Sequence, residues 1–454
     1  MSDAETLRAL DAAHHIHPFT DMAALNAEGT RIITRAEGVW LQDIEGRRFL
    51  DGFSGLWNVN IGYGRSEIAD AVHAQMCELP FYNAFFKSST PPTIALSRRL
   101  AELAPGFSKV FFTNSGSEAN DTVIRMVRHY WRLRGQPGKT HFIARRNGYH
   151  GSTIGGASLG GMAPMHEQGG LPIPGIVHVR QPWWWGEGGD ESPAEFGLTA
   201  ARDVARAIDA LGAEKVAAFI GEPIQGAGGV IIPPDTYWPE VEKICRARNV
   251  LLITDEVICG FGRLGSWFGA RHFGVTPDAM TIAKGLTSGY LPMGGVMLSD
   301  AMAEVLAAGG DFNHGYTTSG HPACAAAALA NLDILQREGL VERVRHVIGP
   351  YLAAGWHRLA DHPLVGEARI VGLIGGLELT PDKVMRARFA KPGEVGALCR
   401  DHAYRAGLVL RATLDCMLIA PPFILTEGEA DLLLARTRAA LDATLEDVRK
   451  MGHP

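Results

Sequence analysis

Residues 251–289 read LLITDEVICGFGRLGSWFGARHFGVTPDAMTIAKGLTSG, and this stretch decides the fold. It holds two short apolar runs, each ending in charge. Leu251-Leu252-Ile253-Thr254 runs into Asp255 and Glu256, and Ala279-Met280-Thr281-Ile282-Ala283 runs into Lys284. Short apolar or β-branched runs bounded by turn signals predict buried strands of a parallel sheet. In open α/β sheets ligands sit just beyond the carboxyl ends of such strands. A carboxylate and an ammonium are therefore offered at neighbouring strand ends.

A lysine amine titrates at about 10.4 in water. Burial and nearby positive charge lower that value, and the free amine then attacks carbonyls. A carboxylate one strand away could keep the ring nitrogen of pyridoxal phosphate protonated, making the ring an electron sink. Most lysines are only solvated, and a strand-end aspartate often only caps a helix. The rest of the chain has to decide between these readings.

Working outward toward the N-terminus, residues 216–220 predict a strand closing on Gly221-Glu222-Pro223, so Glu222 is a second strand-end acid. Residues 239–248 predict the crossover helix between the two acids. Residues 182–197, PWWWGEGGDESPAEFG, predict a loop by composition. Residues 140–144 predict a strand ending in Asn147-Gly148-Tyr149-His150-Gly151. Tyr149 there either lies flat on a planar cofactor or is an exposed turn residue. Residues 109–113 predict another strand, followed by Asn114-Ser115-Gly116-Ser117-Glu118 and a helix with Val123, Met126, Val127 and Tyr130 on one face. Ser115 and Glu118 have capping-box spacing. Gly116 would let the backbone approach an anion at the helix start, although any helix can have a plain cap.

Before that lie strand-like runs at 38–43 and 48–51 around the turn 44–47. Aromatic, irregular segments follow at 55–64 and 81–86, and they either anchor the core or wall a pocket. Beyond Lys284, residues 294–298 predict a strand, and 312–322 a polar loop whose hydroxyls suit a phosphate. Residues 323–335 predict a helix of small residues. An α+β layer completes the chain: helices at 341–359, 394–406 and 427–448, with strands near 370–379, 408–411 and 417–420. We expect an N-terminal segment and meander (1–60) belonging to the small domain, a large domain (61–320) and a C-terminal small domain (321–454).

Composition excludes several classes. With 46% apolar and 20% charged residues, the 454-residue chain is globular rather than disordered. A net charge of -6 and the lack of any Lys/Arg run argue against nucleic acid. No apolar stretch has the length of a membrane span, and no basic-then-apolar leader pattern opens the chain, so a cytoplasmic location is expected. The six cysteines form no CxxC pair and suit reduced thiols. His14, His15 and His17 match no standard ligand spacing and show no acidic partner, so no metal is expected. Residues 260–265 fit G-x-G-x-x-G after a strand, the dinucleotide fingerprint of an NAD-dependent oxidoreductase. Ser266-Trp267-Phe268-Gly269 and Pro277 interrupt the helix that this fingerprint needs, so the match reads as accidental.

The sequence resembles the class III aminotransferases, and within them the omega-transaminases of the amine–, putrescine– or β-alanine–pyruvate type. LLITDEVICGFGR with the following Lys284-Gly-Leu-Thr-Ser-Gly is the lysine-attachment signature of that family. HHIHPFTD, GLWNVNIGYG, FYNAFFK, NGYHGSTIGGASLGGM, GEPIQGAGGVI and HGYTTSGHP support it along nearly the whole chain. The resemblance implies the aspartate aminotransferase-like fold type I, an α/β large domain with a mostly parallel central sheet plus a smaller α+β domain. It also implies pyridoxal 5'-phosphate as cofactor, an amine donor, a keto-acid acceptor such as pyruvate, and a homodimer with shared sites that could pair into a tetramer.

By resemblance, Lys284 bonds the cofactor and shuttles the proton, and Asp255 pairs with the ring nitrogen. Val257 packs one ring face, Tyr149 stacks on the other, and Glu222 lies near the ring edge. Ser115, Gly116 and Ser117 form the phosphate turn, with Thr317 reaching it from the partner subunit. Phe19, Trp57, Tyr149, Ala227 and the partner-supplied Phe85 shape the substrate pocket, and Arg411 takes the carboxylate. After that arginine, Thr413-Leu414-Asp415 departs from the Arg-Ala-x-Gly-Asp often found in relatives. An aminomutase of the same family is the nearest alternative activity.

Overall fold

A computed structural model describes residues 3–452. Strands β1 (Ile33–Glu37), β2 (Trp40–Asp43) and β3 (Arg48–Asp51) form an antiparallel meander. The turn between β2 and β3 is closed by Asp43, whose carboxylate accepts from the backbone N–H and the guanidinium of Arg47.

The central sheet holds β4 (Lys109–Thr113), β5 (His141–Arg145), β6 (Ile176–Val179), β7 (Val216–Gly221), β8 (Leu251–Asp255), β9 (Ala279–Ile282) and β10 (Gly294–Leu298), in the order β4-β10-β9-β8-β7-β5-β6. Every neighbouring pair is parallel except those of β10, which runs antiparallel to both β9 and β4. Each residue of β7, β8 and β9 is buried, because helices cover both faces of the sheet. Leu251 and Ile253 pack toward the helix Gly116–Leu133. Leu252 turns the other way, toward the helices Pro193–Leu211 and Tyr237–Ala247. Parallel pairing of Asp255 with Thr281 brings the end of β8 beside the strand that leads into Lys284.

A third sheet collects β11 (Val365–Val371), β12 (Ile374–Leu379), β14 (Arg411–Thr413) and β15 (Cys416–Ile419), all antiparallel, in the order β11-β12-β15-β14. The short strand β13 (Leu408–Val409) leaves that sheet and pairs parallel with β3. The single strand expected over 408–411 is thus broken at buried Leu410, and its halves serve different sheets.

Two further differences from the sequence expectations have physical causes. Helices Asp3–His14 and Met22–Glu28 occupy the expected lead-in; neither buries a residue, so neither shows an apolar stripe. The helix expected to follow the 182–197 loop begins inside it, at Pro193, under a Ser192–Glu195 capping box with proline in the first turn. The helix expected over 341–359 is present as an unbroken run that carries a π turn, Val344–Ile348, between Leu340–Arg343 and Gly349–Arg358. Among the described residues no helix is long and apolar enough to cross a membrane.

Candidate active site

Successive residues at the end of β8 point to opposite sides, and the two acids there acquire different environments. Glu256 accepts from the backbone N–H groups of Gly269 and Ala270, both at 2.7 Å, and burial pushes its carboxyl up to about 7. Asp255, also buried, accepts from His150 Nδ1 at 2.7 Å, Asn120 Nδ2 at 2.8 Å and Val257 N–H at 3.0 Å. Burial would raise its carboxyl, but these donors outweigh it and hold Asp255 below the usual range. Only Asp255 is an anion secured at neutral pH.

Lys284 opens a single 3-10 turn after β9, with left-handed backbone at φ 43°. Desolvation brings its amine down to about 8, against the opposing pull of Asp255 and Glu222. Arg411 lowers it further, so acid and guanidinium both act on the same nitrogen.

On β4's side, Ser115 caps the helix Gly116–Leu133 by accepting from Glu118 N–H at 3.2 Å. The reciprocal half of the expected box is displaced: Glu118 reaches back to the N–H and side chain of Asn114. A Cβ on Gly116 would come within 2.9 Å of Val257, and one on Gly151 within 2.6 Å of Ser117. The turn is therefore pressed between Val257 and the segment after β5. Ser117 Oγ accepts from Ser152 N–H at 3.1 Å, joining that segment to the turn. Glu222, fixed by burial with its carboxyl raised, accepts from Tyr149 N–H at 3.0 Å and Gly226 N–H at 2.8 Å. It thus ties Tyr149 to the loop that carries buried Ala227.

The outer residues are held more loosely. Half-buried Arg411 lies on β14, where burial lowers its pKa and Tyr149 acts on it in the opposite sense. Phe19 is 75% exposed, at φ 50°, with its ring edge-on to Tyr149 at 6.3 Å. Trp57 is buried instead, packed on Phe53 at 4.3 Å in a cluster with Ile224, Ile258 and Leu418. Among the described residues no hydrogen bond, ion pair or ring contact joins Phe85 or exposed Thr317 to Lys284. They belong to one surface: a Cβ on Gly315 would lie 2.8 Å from the Phe85 ring, and the loop around Thr317 is pinned to Asn114 by Thr318.

Asn120 and His150 are the site residues that sequence reasoning missed. His150 stood inside the quoted NGYHG turn, but the partner that gives it meaning is 105 positions away. A second omission concerns His15 and His17, whose acidic partner is Asp11, one helical turn upstream. The carboxylate takes both rings, at 3.0 and 2.8 Å, and also accepts from Thr30. Their ligand atoms lie within 4.8 Å of one another, close enough to hold a cation, and hydrogen bonding already accounts for the arrangement. The glycines of 260–265 serve packing: a Cβ on Gly262 would meet Phe423 at 2.9 Å, and one on Gly265 the backbone of Arg345 at 2.8 Å. Only a four-residue helix, Gly269–His272, follows them.

Comparison with known proteins identifies the family. Residues 23–441 match the family model described as aminotransferase class-III. A putrescine–pyruvate aminotransferase of Pseudomonas aeruginosa is 56% identical over 438 residues, 96% of each chain. The crystal structure of a thermostable (S)-enantioselective omega-transaminase from Thermomicrobium roseum superposes with TM-score 0.94 at 44% identity, covering 98% of this chain and 99% of the other. The omega-transaminase of Pseudomonas jessenii in complex with PMP superposes with TM-score 0.95 at 41% identity, covering 97% and 99%.

Proposed function

The chain belongs to the class III aminotransferases, and from that premise we propose that it moves an amino group from a primary amine, a diamine or an omega-amino acid to pyruvate in two alternating half-reactions. As a member of that family it is a transaminase of fold type I that uses pyridoxal 5'-phosphate. When bound, the cofactor supplies a ring that takes up the electron pair left as a proton leaves the donor carbon.

The residues of this chain fit that group. Lys284, with its amine near 8, is free in roughly a tenth of molecules at pH 7, enough to act as nucleophile and then to carry the donor's proton. Asp255, held ionised by its three donors, would keep the ring nitrogen protonated. The crowded glycine turn at 115–117 would take the phosphate on backbone N–H groups, with Val257 and Tyr149 on the two ring faces. Glu222 holds Tyr149 and the Ala227 loop in place.

Substrate recognition falls to the outer residues. Phe19, Tyr149 and Trp57 give apolar walls, and Arg411 a bidentate partner for the acceptor's carboxylate. Among the described residues the Arg411 guanidinium has neither an ion-pair nor a hydrogen-bond partner, which supports an incoming anion as its counterion. The surface shared by Phe85, Gly315 and Thr317 supports a homodimer in which each chain completes its neighbour's pocket. A cytoplasmic enzyme is part of the same reading.

One observation carries the proposal: an amine tuned toward neutrality beside a carboxylate fixed as an anion, at adjacent ends of parallel strands. The test is a donor panel of putrescine, 4-aminobutyrate, β-alanine and a benzylic amine, each with pyruvate or 2-oxoglutarate. Alanine formed fastest from the diamine and pyruvate is the expected result. Glutamate from 2-oxoglutarate with no alanine would displace pyruvate as acceptor. Amino migration without any keto acid would make the protein an aminomutase.

A further inference from the structure

The turn carrying Lys284 ends within a few residues. Leu286 N–H reaches the carbonyl of Ala283 at 2.9 Å, and Thr287 N–H that of Lys284 at 3.2 Å. Ser288 and Gly289 then adopt left-handed backbone, φ 48° and 77°, which turns the chain away. The carbonyls of Gly285 and Leu286 are thus left at a helix end without the N–H groups that a continuing helix would bring. Both residues are buried, so water does not replace those donors freely.

Asn331 supplies them. It lies on the helix Pro322–Arg337, is fully buried, and donates its two N–H bonds to the carbonyls of Gly285 and Leu286, both at 2.9 Å. Its oxygen accepts the Ser288 hydroxyl at 2.6 Å. Both ends of the amide are thus used, and a flipped amide would set oxygen against two carbonyls. The opposite side of the turn is equally tight. A Cβ on Gly285 would come 2.5 Å from Asn60 Nδ2, and one on Gly289 2.5 Å from Asn58 Nδ2. Lys284 meanwhile sits at φ 43°, a conformation that non-glycine residues hold only when their surroundings impose it.

We propose that Asn331 is a positioning residue for transamination: its three hydrogen bonds keep Lys284 in its left-handed conformation and thereby aim the reacting amine. The proposal rests on Lys284 being that amine. Ser288 acts with Asn331, since its hydroxyl fixes which way the amide points. A residue that only filled the fold would affect melting and nothing else. A residue that aims Lys284 must also alter how the amine titrates and how fast it works.

The experiment compares Asn331→Ala, Asn331→Asp and Ser288→Ala with the unsubstituted holoenzyme. It reads the melting temperature, the pH midpoint of the near-visible absorbance of the lysine-linked cofactor, the rate of borohydride fixation, and kcat and KM. Asn331→Ala should move the midpoint by about half a pH unit or more and lower kcat about tenfold, with KM within about threefold. Asn331→Asp should move the midpoint upward, because a carboxylate close to the turn favours the protonated nitrogen. Ser288→Ala should shift in the same direction as Asn331→Ala, by less. Lower melting temperatures with unchanged midpoint and kcat would overturn the proposal. Should the Asn331 variants not fold, Ser288→Ala decides on the same readings, and no shift there would overturn it. Borohydride fixation at another lysine in the unsubstituted protein, found by peptide mapping, would instead remove the premise about Lys284.

Discussion

Asp255 and Arg411 both act on Lys284, yet they are held in opposite ways. Asp255 is buried at a sheet's centre and accepts hydrogen bonds from His150, Asn120 and the Val257 backbone. Arg411 is half-buried on a three-residue edge strand, and among the described residues nothing pairs with its guanidinium. Under the proposed function, charge that must stay fixed through both half-reactions is immobilised by a full set of donors. In the proposed reaction, charge wanted in only one of them is left without a permanent partner, because a permanent partner would compete with the substrate's carboxylate.

The comparison makes graded predictions. Lys284→Ala should abolish borohydride trapping and turnover; the proton transfer alone is worth ~10²–10⁴-fold. Trapping that persists on this variant would move the reacting amine elsewhere. Asp255→Asn should still bind cofactor but lose about 10²–10³-fold in kcat with little change in KM, as for a preorganised charge acting mainly in the transition state. A near-normal kcat would mean that the rigid half of the site is not what fixes the ring's charge.

Arg411→Ala should cost about tenfold or more in the pyruvate half-reaction and much less in the amine half-reaction. Stopped-flow traces of the two halves measure this separately. Equal losses would erase the contrast between fixed and free charge.

The smallest effect is on stability. The folded state holds the Lys284 amine near 8, below its unfolded value, so folding is penalised at lower pH and the penalty is relieved as pH rises from about 8 toward 10.5. Lys284→Met should therefore raise the apoprotein's melting temperature by at most about 2–4 °C at pH 7, and by less at pH 10. A gain that is the same at both pH values would assign it to packing rather than charge.

The rigid half was the legible half. β8 and β9 are buried on both faces, so they survive in the sequence as unbroken apolar runs with charge at their ends. The direction of β10 left no such trace, since an antiparallel neighbour has the same composition as a parallel one. His150 and Asn120 were hidden because a hydrogen-bond partner 105 or 135 residues away has no local signature. Asp11 was nearer and still overlooked, although its four-residue spacing from His15, just past the helix Asp3–His14, could have revealed it. Ser192 and Glu195 carried a readable capping box inside a segment dismissed for its glycines and tryptophans. The pocket residues are proposed only through resemblance, because irregular aromatic segments have no period to read.

The break at Leu410 has a consequence for how such a protein can diverge. β13 stays attached to the N-terminal meander, while β14, with Arg411, is an outermost strand that touches one neighbour, β15. An outermost strand can lengthen, shorten or change its side chains without tearing a sheet apart. If Arg411 receives the acceptor as proposed, descendants of this chain can exchange one acceptor for another by rewriting residues 411–414, with the lysine and its acid inherited intact. The departure already present, Leu414 where relatives often carry glycine, is 60% exposed at φ 49°, whereas Asp415 beside it is buried and accepts from the N–H groups of Gly393 and Gly396, both at 2.9 Å.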